Sequence, residues 1–128
     1  MRLVVVGGIA AGMSAAARAR RLDMTAEIVV CEKGSQVSYG ACGLPYLAEG
    51  RVRDWRELVA YRAGELRRER SIEVRENAEV ASVHHARRSV RLVSGEEIRY
   101  DKLVLATGAL PAWAGPTGED GSGKDVFV

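Results

Sequence analysis

The feature that most constrains this chain is a glycine loop set between two segments of different period. Leu3 to Val6 is an unbroken aliphatic run, the pattern of a strand buried on both faces of a parallel sheet. It stops at Gly7-Gly8-Ile9-Ala10-Ala11-Gly12. From Ala10 to Leu22 the residues are mostly Ala, Met, Leu and Arg, strong helix formers, and Arg18, Arg20 and Arg21 fall in the last turns, where cations suit the helix dipole. Ile28 to Cys31 then reads as a second buried strand. A strand, a glycine turn, a helix and a strand in that order form a βαβ unit, so the chain is expected to be an α/β protein built on a Rossmann-like parallel sheet.

A glycine turn at that place lets backbone approach a pyrophosphate at the helix N-terminus. Gly7, Gly8, Ala11 and Gly12 are therefore candidate dinucleotide contacts, although Ile9 stands where the usual fingerprint has its second glycine. Glu32 lies twenty residues beyond Gly12, at the end of the second strand, where a carboxylate accepts hydrogen bonds from ribose hydroxyls. The competing reading is that the glycines merely permit close packing and Glu32 is a solvated acid. The loop alone does not separate NAD from FAD.

Beyond Glu32 the organisation changes twice. Lys33 to Gly50 carries glycines, serines and a proline, which rule out long regular structure, yet it holds Ser38, Tyr39, Cys42 and Tyr46; a long loop rich in reactive side chains is usually functional. Cys42 sits at the start of a possible short helix, where the local dipole favours a thiolate; a spare loop cysteine is the alternative. Cys31 ends an apolar run and reads as a buried small hydrophobe. Trp55 to Glu69 looks helical, with Leu58, Val59, Tyr61 and Leu66 facing inward, and Ser71 to Val74 looks like a strand. Glu79 to Val83, Ser89 to Val93 and Glu97 to Tyr100 are short β-like runs, the sign of an antiparallel meander. His84 and His85 fall between two of them and read as turn residues. Leu103 to Ala106 is again a buried run, ending at Thr107-Gly108-Ala109. Residues 113–125 read as a Gly-rich connector after a core of 1–112, and 126–128 as the start of a further segment.

Composition narrows the function. A chain of 128 residues, 47% hydrophobic, buries one core and not two. Nineteen basic against seventeen acidic residues give +2, too little to argue for nucleic acid or a membrane surface. No apolar run approaches a membrane span and no cleavage-site pattern follows the first strand, so a cytoplasmic protein is expected. Two cysteines, distant from each other and from the histidines, suit neither a disulfide scaffold nor a metal site.

Four blocks in order, VVVGGIAAGMSAAARARR, IVVCEKG, SYGACGLPY and YDKLVLATGALP, give the whole chain a resemblance to the N-terminal part of the single-cysteine pyridine nucleotide-disulfide oxidoreductases. That group contains coenzyme A-disulfide reductases, NADH-dependent persulfide reductases and NADH oxidases or peroxidases. The resemblance implies FAD as cofactor, NAD(P)H as electron donor, and Cys42 as the redox cysteine acting on a small-molecule disulfide or persulfide such as coenzyme A disulfide, with homodimers among the full-length relatives. By the same carry-over Gly7, Gly12, Glu32, Lys33, Val80, Thr107 and Gly108 line the FAD, with Ala106 in the same terminal segment, and Ser14, Arg18, Arg21, Ser38 and Arg70 hold coenzyme A. The relatives often carry asparagine before the cysteine, where this chain has Ala41. No second cysteine lies a few residues away, so the cycle implied uses one. Relatives are several times longer, and the nicotinamide and dimerisation domains are absent from these 128 residues. The chain is thus expected to be an incomplete FAD domain without turnover of its own. An oxidase or peroxidase and a non-catalytic flavin-binding module remain alternatives.

Overall fold

The computed structural model describes residues 1–109; the connector expected over 113–125 and the trio 126–128 lie outside the described residues. Seven strands and three α-helices follow one another as β1 (Arg2–Val6), α1 (Ala10–Leu22), β2 (Glu27–Cys31), α2 (Leu44–Ala48), α3 (Ala63–Arg70), β3 (Ile72–Arg75), β4 (Val80–His84), β5 (Ser89–Leu92), β6 (Glu97–Arg99) and β7 (Lys102–Leu105). Four strands form a parallel sheet in the order β3-β2-β1-β7, and β4-β5-β6 form an antiparallel meander, as the sequence predicts.

Alternation along the central strands builds two cores. Leu3, Val5, Ile28, Val30 and Ile72 pack with Met13 and Ala16 of α1 and Leu66 of α3. The intervening Val4, Val6, Val29 and Cys31 pack with Val90, Leu92, Ile98 and Tyr100 of the meander. Successive strand residues point to opposite faces, so a run apolar at every position is what a sheet covered on both sides requires. Each such side chain contributes about 1.5–3 kcal/mol on burial. Cys31 is 1% exposed, the buried hydrophobe expected of it.

Three local expectations need correction. Trp55 to Glu69 is not one helix: a 3-10 turn, Trp55–Leu58, capped by Asp54 and Glu57, gives way to extended backbone at Val59 (φ −89°, ψ 107°) and Arg62 (φ −89°, ψ 156°) before α3 starts. Two N-terminal caps in series, Glu57 on the Asp54 N–H at 3.0 Å and Glu65 on the Arg62 N–H at 2.8 Å, divide the segment. Leu66 is buried, but Leu58 and Val59 are half-buried and Tyr61 is exposed. His84 belongs to β4, paired with Ser89, and only His85 occupies the turn. The run Leu103 to Ala106 is not buried: Leu103 and Val104 are half-covered and Leu105 is 63% exposed, because β7 is the sheet edge among the described residues.

Candidate dinucleotide site and thiol loop

Parallel strands deliver their C-terminal ends to one side, and the site grows there. β1 ends at Gly7, whose φ of +103° is open to glycine at no steric cost. A Cβ on Gly7 would stand 2.2 Å from the Ala106 carbonyl oxygen, and one on Gly12 would stand 1.8 Å from the Gly7 oxygen. Close packing of β1 on β7 and on α1 therefore requires both glycines, as the plainer reading of the loop holds. α1 then begins without a side-chain cap: its N-cap is Ile9, and its first turn holds no acid. Ala10 and Ala11 are exposed, so this helix end, with its orphan N–H groups and positive partial charge, faces solvent.

Glu32 does more than its sequence position suggests. It is 7% exposed, and its two oxygens accept from the Gly8 N–H at 2.7 Å and the Gly34 N–H at 2.9 Å. Its own N–H donates to the Arg75 carbonyl at 2.9 Å, and its carbonyl accepts from the Ala78 N–H at 2.8 Å. Glu32 thus ties the glycine loop, the turn after β2 and the chain after β3 into one wall. The remaining lone pairs of its carboxylate stay free for a further donor. A cleft of about 200 Å³ opens beside it, lined by Val6, Gly7, Cys31, Glu32, Lys33, Ala78, Glu79, Val80 and Thr107. Five predicted cofactor residues, Gly7, Glu32, Lys33, Val80 and Thr107, meet there. Gly8 and Gly12 stand behind it in the loop, Ala106 joins β1 through its N–H to the Val6 carbonyl at 2.8 Å, and Gly108 follows with φ +69°. Burial pushes the thiol of Cys31, at the base of the cleft, up to about 11.

The Cys42 loop is fastened to this wall. The Ser38 N–H donates to the Gly8 carbonyl at 2.8 Å, and the Ser38 carbonyl accepts from the Ala60 N–H at 3.0 Å. Tyr39 bridges Val59, and the Gly40 N–H donates to the Leu58 carbonyl at 2.8 Å. The extended break at 58–60, where the periodicity predicts a helix, is therefore what anchors the loop that carries Cys42. Cys42 lies in a 3-10 turn, Ala41–Gly43, directly before the five-residue α2, and is exposed.

The predicted substrate residues are dispersed. Ser14, Arg18 and Arg21 share one exposed stripe of α1 at helical spacing. Arg21 and Arg70 meet at a second cleft of about 230 Å³ with Ala17, Arg20 and Met24, whereas Ser14 and Arg18 do not line it. The Arg70 guanidinium donates to the Tyr61 hydroxyl at 2.8 Å. Ser38 stands near the other end of α1, against the glycine loop. Arg20, read from sequence only as a dipole cation, is a buried clamp: it donates to the carbonyls of Met24 (2.7 Å), Asp23 (3.3 Å), Arg70 (3.1 Å) and Ser71 (2.7 Å). No helix among the described residues is long and apolar enough to cross a membrane.

Known proteins share this sequence pattern and this fold. The family described as pyridine nucleotide-disulphide oxidoreductase matches residues 1–127. A protein named NADH oxidase from Methanocaldococcus jannaschii is 32% identical over 115 residues, which cover 87% of this chain and 26% of that protein. A coenzyme A disulfide reductase from Staphylococcus aureus (strain COL) is 34% identical over 113 residues, 84% of this chain and 26% of that one. Among solved structures, an NAD-dependent persulfide reductase from A. fulgidus superposes with a TM-score of 0.84 at 39% identity, over 88% of this chain and 22% of its own. The chain spans about a quarter of the length of the curated relatives it matches.

Proposed function

This chain belongs to the pyridine nucleotide-disulphide oxidoreductase family, whose members are NAD(P)H-dependent flavin oxidoreductases, and on that footing we propose that it seats FAD and carries, in Cys42, the single redox cysteine of a disulfide or persulfide reductase. The observation that carries the reading is the meeting of Gly7, Glu32, Lys33, Val80 and Thr107 at one cleft beside a helix that starts with neither a side-chain cap nor an acid. A dinucleotide suits that donor set: the open end of α1 favours a pyrophosphate, Glu32 has lone pairs left for ribose hydroxyls, and Lys33 adds a cation. When bound, the flavin supplies two-electron transfer between a pyridine nucleotide and sulfur.

The chain's own part is sulfur chemistry. The Cys42 thiolate displaces one thiolate from a disulfide RSSR, so that the Cys42 sulfur to SR bond forms as the S–S bond breaks and RS⁻ leaves. The resulting Cys42–SR mixed disulfide needs two electrons, which a bound flavin would supply, to return Cys42 to the thiolate and release the second RS⁻. With a persulfide RSSH the attack falls on the outer sulfur and RS⁻ leaves. Exposure of Cys42 on an anchored turn gives a substrate access without letting the sulfur wander. Coenzyme A disulfide as substrate rests on the Staphylococcus relative's name and on the basic face of Arg18, Arg21 and Arg70, suited to phosphate. A peroxide- or oxygen-reducing role for the same thiol rests on the NADH oxidase relative and on Ala41, which offers substrate no side-chain hydrogen bond.

The test is the visible spectrum of the purified chain titrated with FAD, beside Cys42→Ser. The expected result is a bound-flavin spectrum with a long-wavelength charge-transfer band that the variant lacks. Identical spectra would remove Cys42 from the flavin, and no binding would overturn the cofactor reading for this chain.

A further inference from the structure

Glu32 and the Cys42 loop are joined through one residue. The Gly8 N–H donates to a Glu32 oxygen at 2.7 Å, and the Gly8 carbonyl accepts from the Ser38 N–H at 2.8 Å. Gly8 is buried and has little room to move: a Cβ on it would stand 3.0 Å from both Glu32 Cβ and Val37 Cγ1, and Val37 is itself buried. A shift of Glu32 therefore moves Gly8, and a shift of Gly8 moves Ser38.

At Ser38 such a shift has two outcomes. Its φ is +54°, a left-handed conformation that is costly for any residue with a side chain. No hydrogen-bonded turn imposes it, because the Ser38 N–H and carbonyl bond to Gly8 and Ala60, both distant in sequence. Strained backbone of this kind persists only while its surroundings hold it, so loss of the Gly8 bond gives Ser38 a relaxed alternative. The consequence falls on Cys42. Among the described residues, the backbone bonds that tie this loop to other elements are those of Ser38, Tyr39 and Gly40, whereas residues 41–52 bond within the segment. The turn that carries Cys42 keeps its place through three adjoining residues, and Ser38 is the first of them.

On the reading of the Glu32 cleft as a dinucleotide site, we propose that occupancy of that cleft controls the Cys42 loop through Gly8 and Ser38. A ligand shifts an equilibrium only through a difference in affinity for two states. Here the difference lies in Glu32, whose carboxylate serves the ligand and the Gly8 N–H together. A dinucleotide on Glu32 and the open end of α1 needs Gly8 in place, and so favours left-handed Ser38 and the fastened loop. The thiol loop is ordered when the cofactor is seated and released when it leaves.

The experiment is amide hydrogen exchange of the full chain, with and without ADP at a hundredfold excess over its Kd. ADP carries the ribose and diphosphate of a dinucleotide but no flavin ring to cover the loop directly. If opening of the loop and release of the ligand are one event, the amides of Ser38, Gly40 and Ala60 should slow by the same factor as those of Gly8 and Gly34, about a hundredfold. In the free chain they should exchange faster than the amides of Val5 and Val29 in the central strands, which report global unfolding. Ser38→Gly should slow Gly40 and Ala60 several-fold without ligand, because glycine holds the left-handed conformation freely; Ser38→Ala, which keeps the strain and loses only the hydroxyl, should not. Protection of Gly8 and Gly34 with Ser38, Gly40 and Ala60 unchanged would overturn the coupling and leave the cleft reading standing. Absence of protection anywhere would overturn both. Exchange at Ser38 equal to that at Val5 and Val29 in both conditions, or equal effects of the two variants, would also overturn the coupling.

Discussion

Two side chains illustrate how this sheet turns strand residues into a site. The spacing from Gly12 makes Glu32 a candidate ribose acceptor but does not reveal it as the staple of the wall, because its partners are the backbone N–H groups of Gly8 and Gly34, and a sequence does not display backbone geometry. Glu32→Ala should leave the buried Gly8 N–H without an acceptor and cost about 1–3 kcal/mol, read as a lowered urea midpoint even in the absence of any nucleotide. An unchanged midpoint would reduce Glu32 to a ligand contact. Cys31 gives a second prediction. Its thiol rises from the ordinary 9.0 to about 11 on folding, so the unfolded chain ionises first. Its contribution is intact below pH 9 and is lost as pH rises from 9 towards 11, on the order of 2 kcal/mol in all. Urea midpoints across that window should fall less steeply in Cys31→Ala than in the parent chain. In the native protein a thiol reagent should titrate Cys42 quickly and Cys31 only after denaturation.

Elements with a strong period were legible, and elements defined by tertiary contact were not. β1, α1 and β2 follow directly from a β-branched run, a glycine turn and an alanine-rich stretch, since local preference and global fold agree there. The segment 55–70 misleads because Leu58, Val59 and Leu66 fit a helical period while the caps at Asp54 and Arg62 and the Tyr39–Val59 bridge divide it. β7 misleads because an apolar run reads as buried whether its strand is central or at an edge. For the thiol loop, the break at Val59 is the useful part. A Cβ on Gly43 would lie 2.4 Å from Leu58 Cδ2, so the Leu58 side chain buttresses the turn that carries Cys42. Leu58→Ala should cost only about 1–2 kcal/mol at a half-buried position while speeding limited proteolysis within residues 39–50 several-fold. Equal rates in the two proteins would show that the backbone bonds to Leu58 and Ala60 suffice. The Arg20 clamp acts between elements, holding the end of α1 to the α3–β3 junction through carbonyls. Arg20→Met keeps the packing stem but removes every donor, and should destabilise by about 2–4 kcal/mol, with the loss of protection against hydrogen exchange greatest at 70–75.

At the scale of the whole molecule, one three-layered unit gathers its dinucleotide cleft and thiol loop at the C-terminal ends of a single parallel sheet, and this makes binding a measure of folding. A ligand that binds only the native state stabilises it by RT ln(1 + [L]/Kd), about 2.7 kcal/mol at a hundredfold excess over Kd. For a chain of this size that corresponds to a rise of roughly 10 °C in melting temperature. FAD should therefore raise the midpoint progressively with concentration and saturate at one equivalent per chain, because the sequence holds one glycine loop of this kind. NADH at equal concentration should raise it less, if the Thr107-Gly108 segment is shaped for a flavin nucleotide. Glu32→Ala should abolish the FAD increment beyond its own loss of stability, whereas Cys42→Ser should keep it, since the thiol turn is fastened by backbone bonds that the substitution leaves in place. A chain whose midpoint responds equally to FAD and NADH has a dinucleotide cleft without flavin preference, and the electron-transfer reading of Cys42 would then lose its support within these residues.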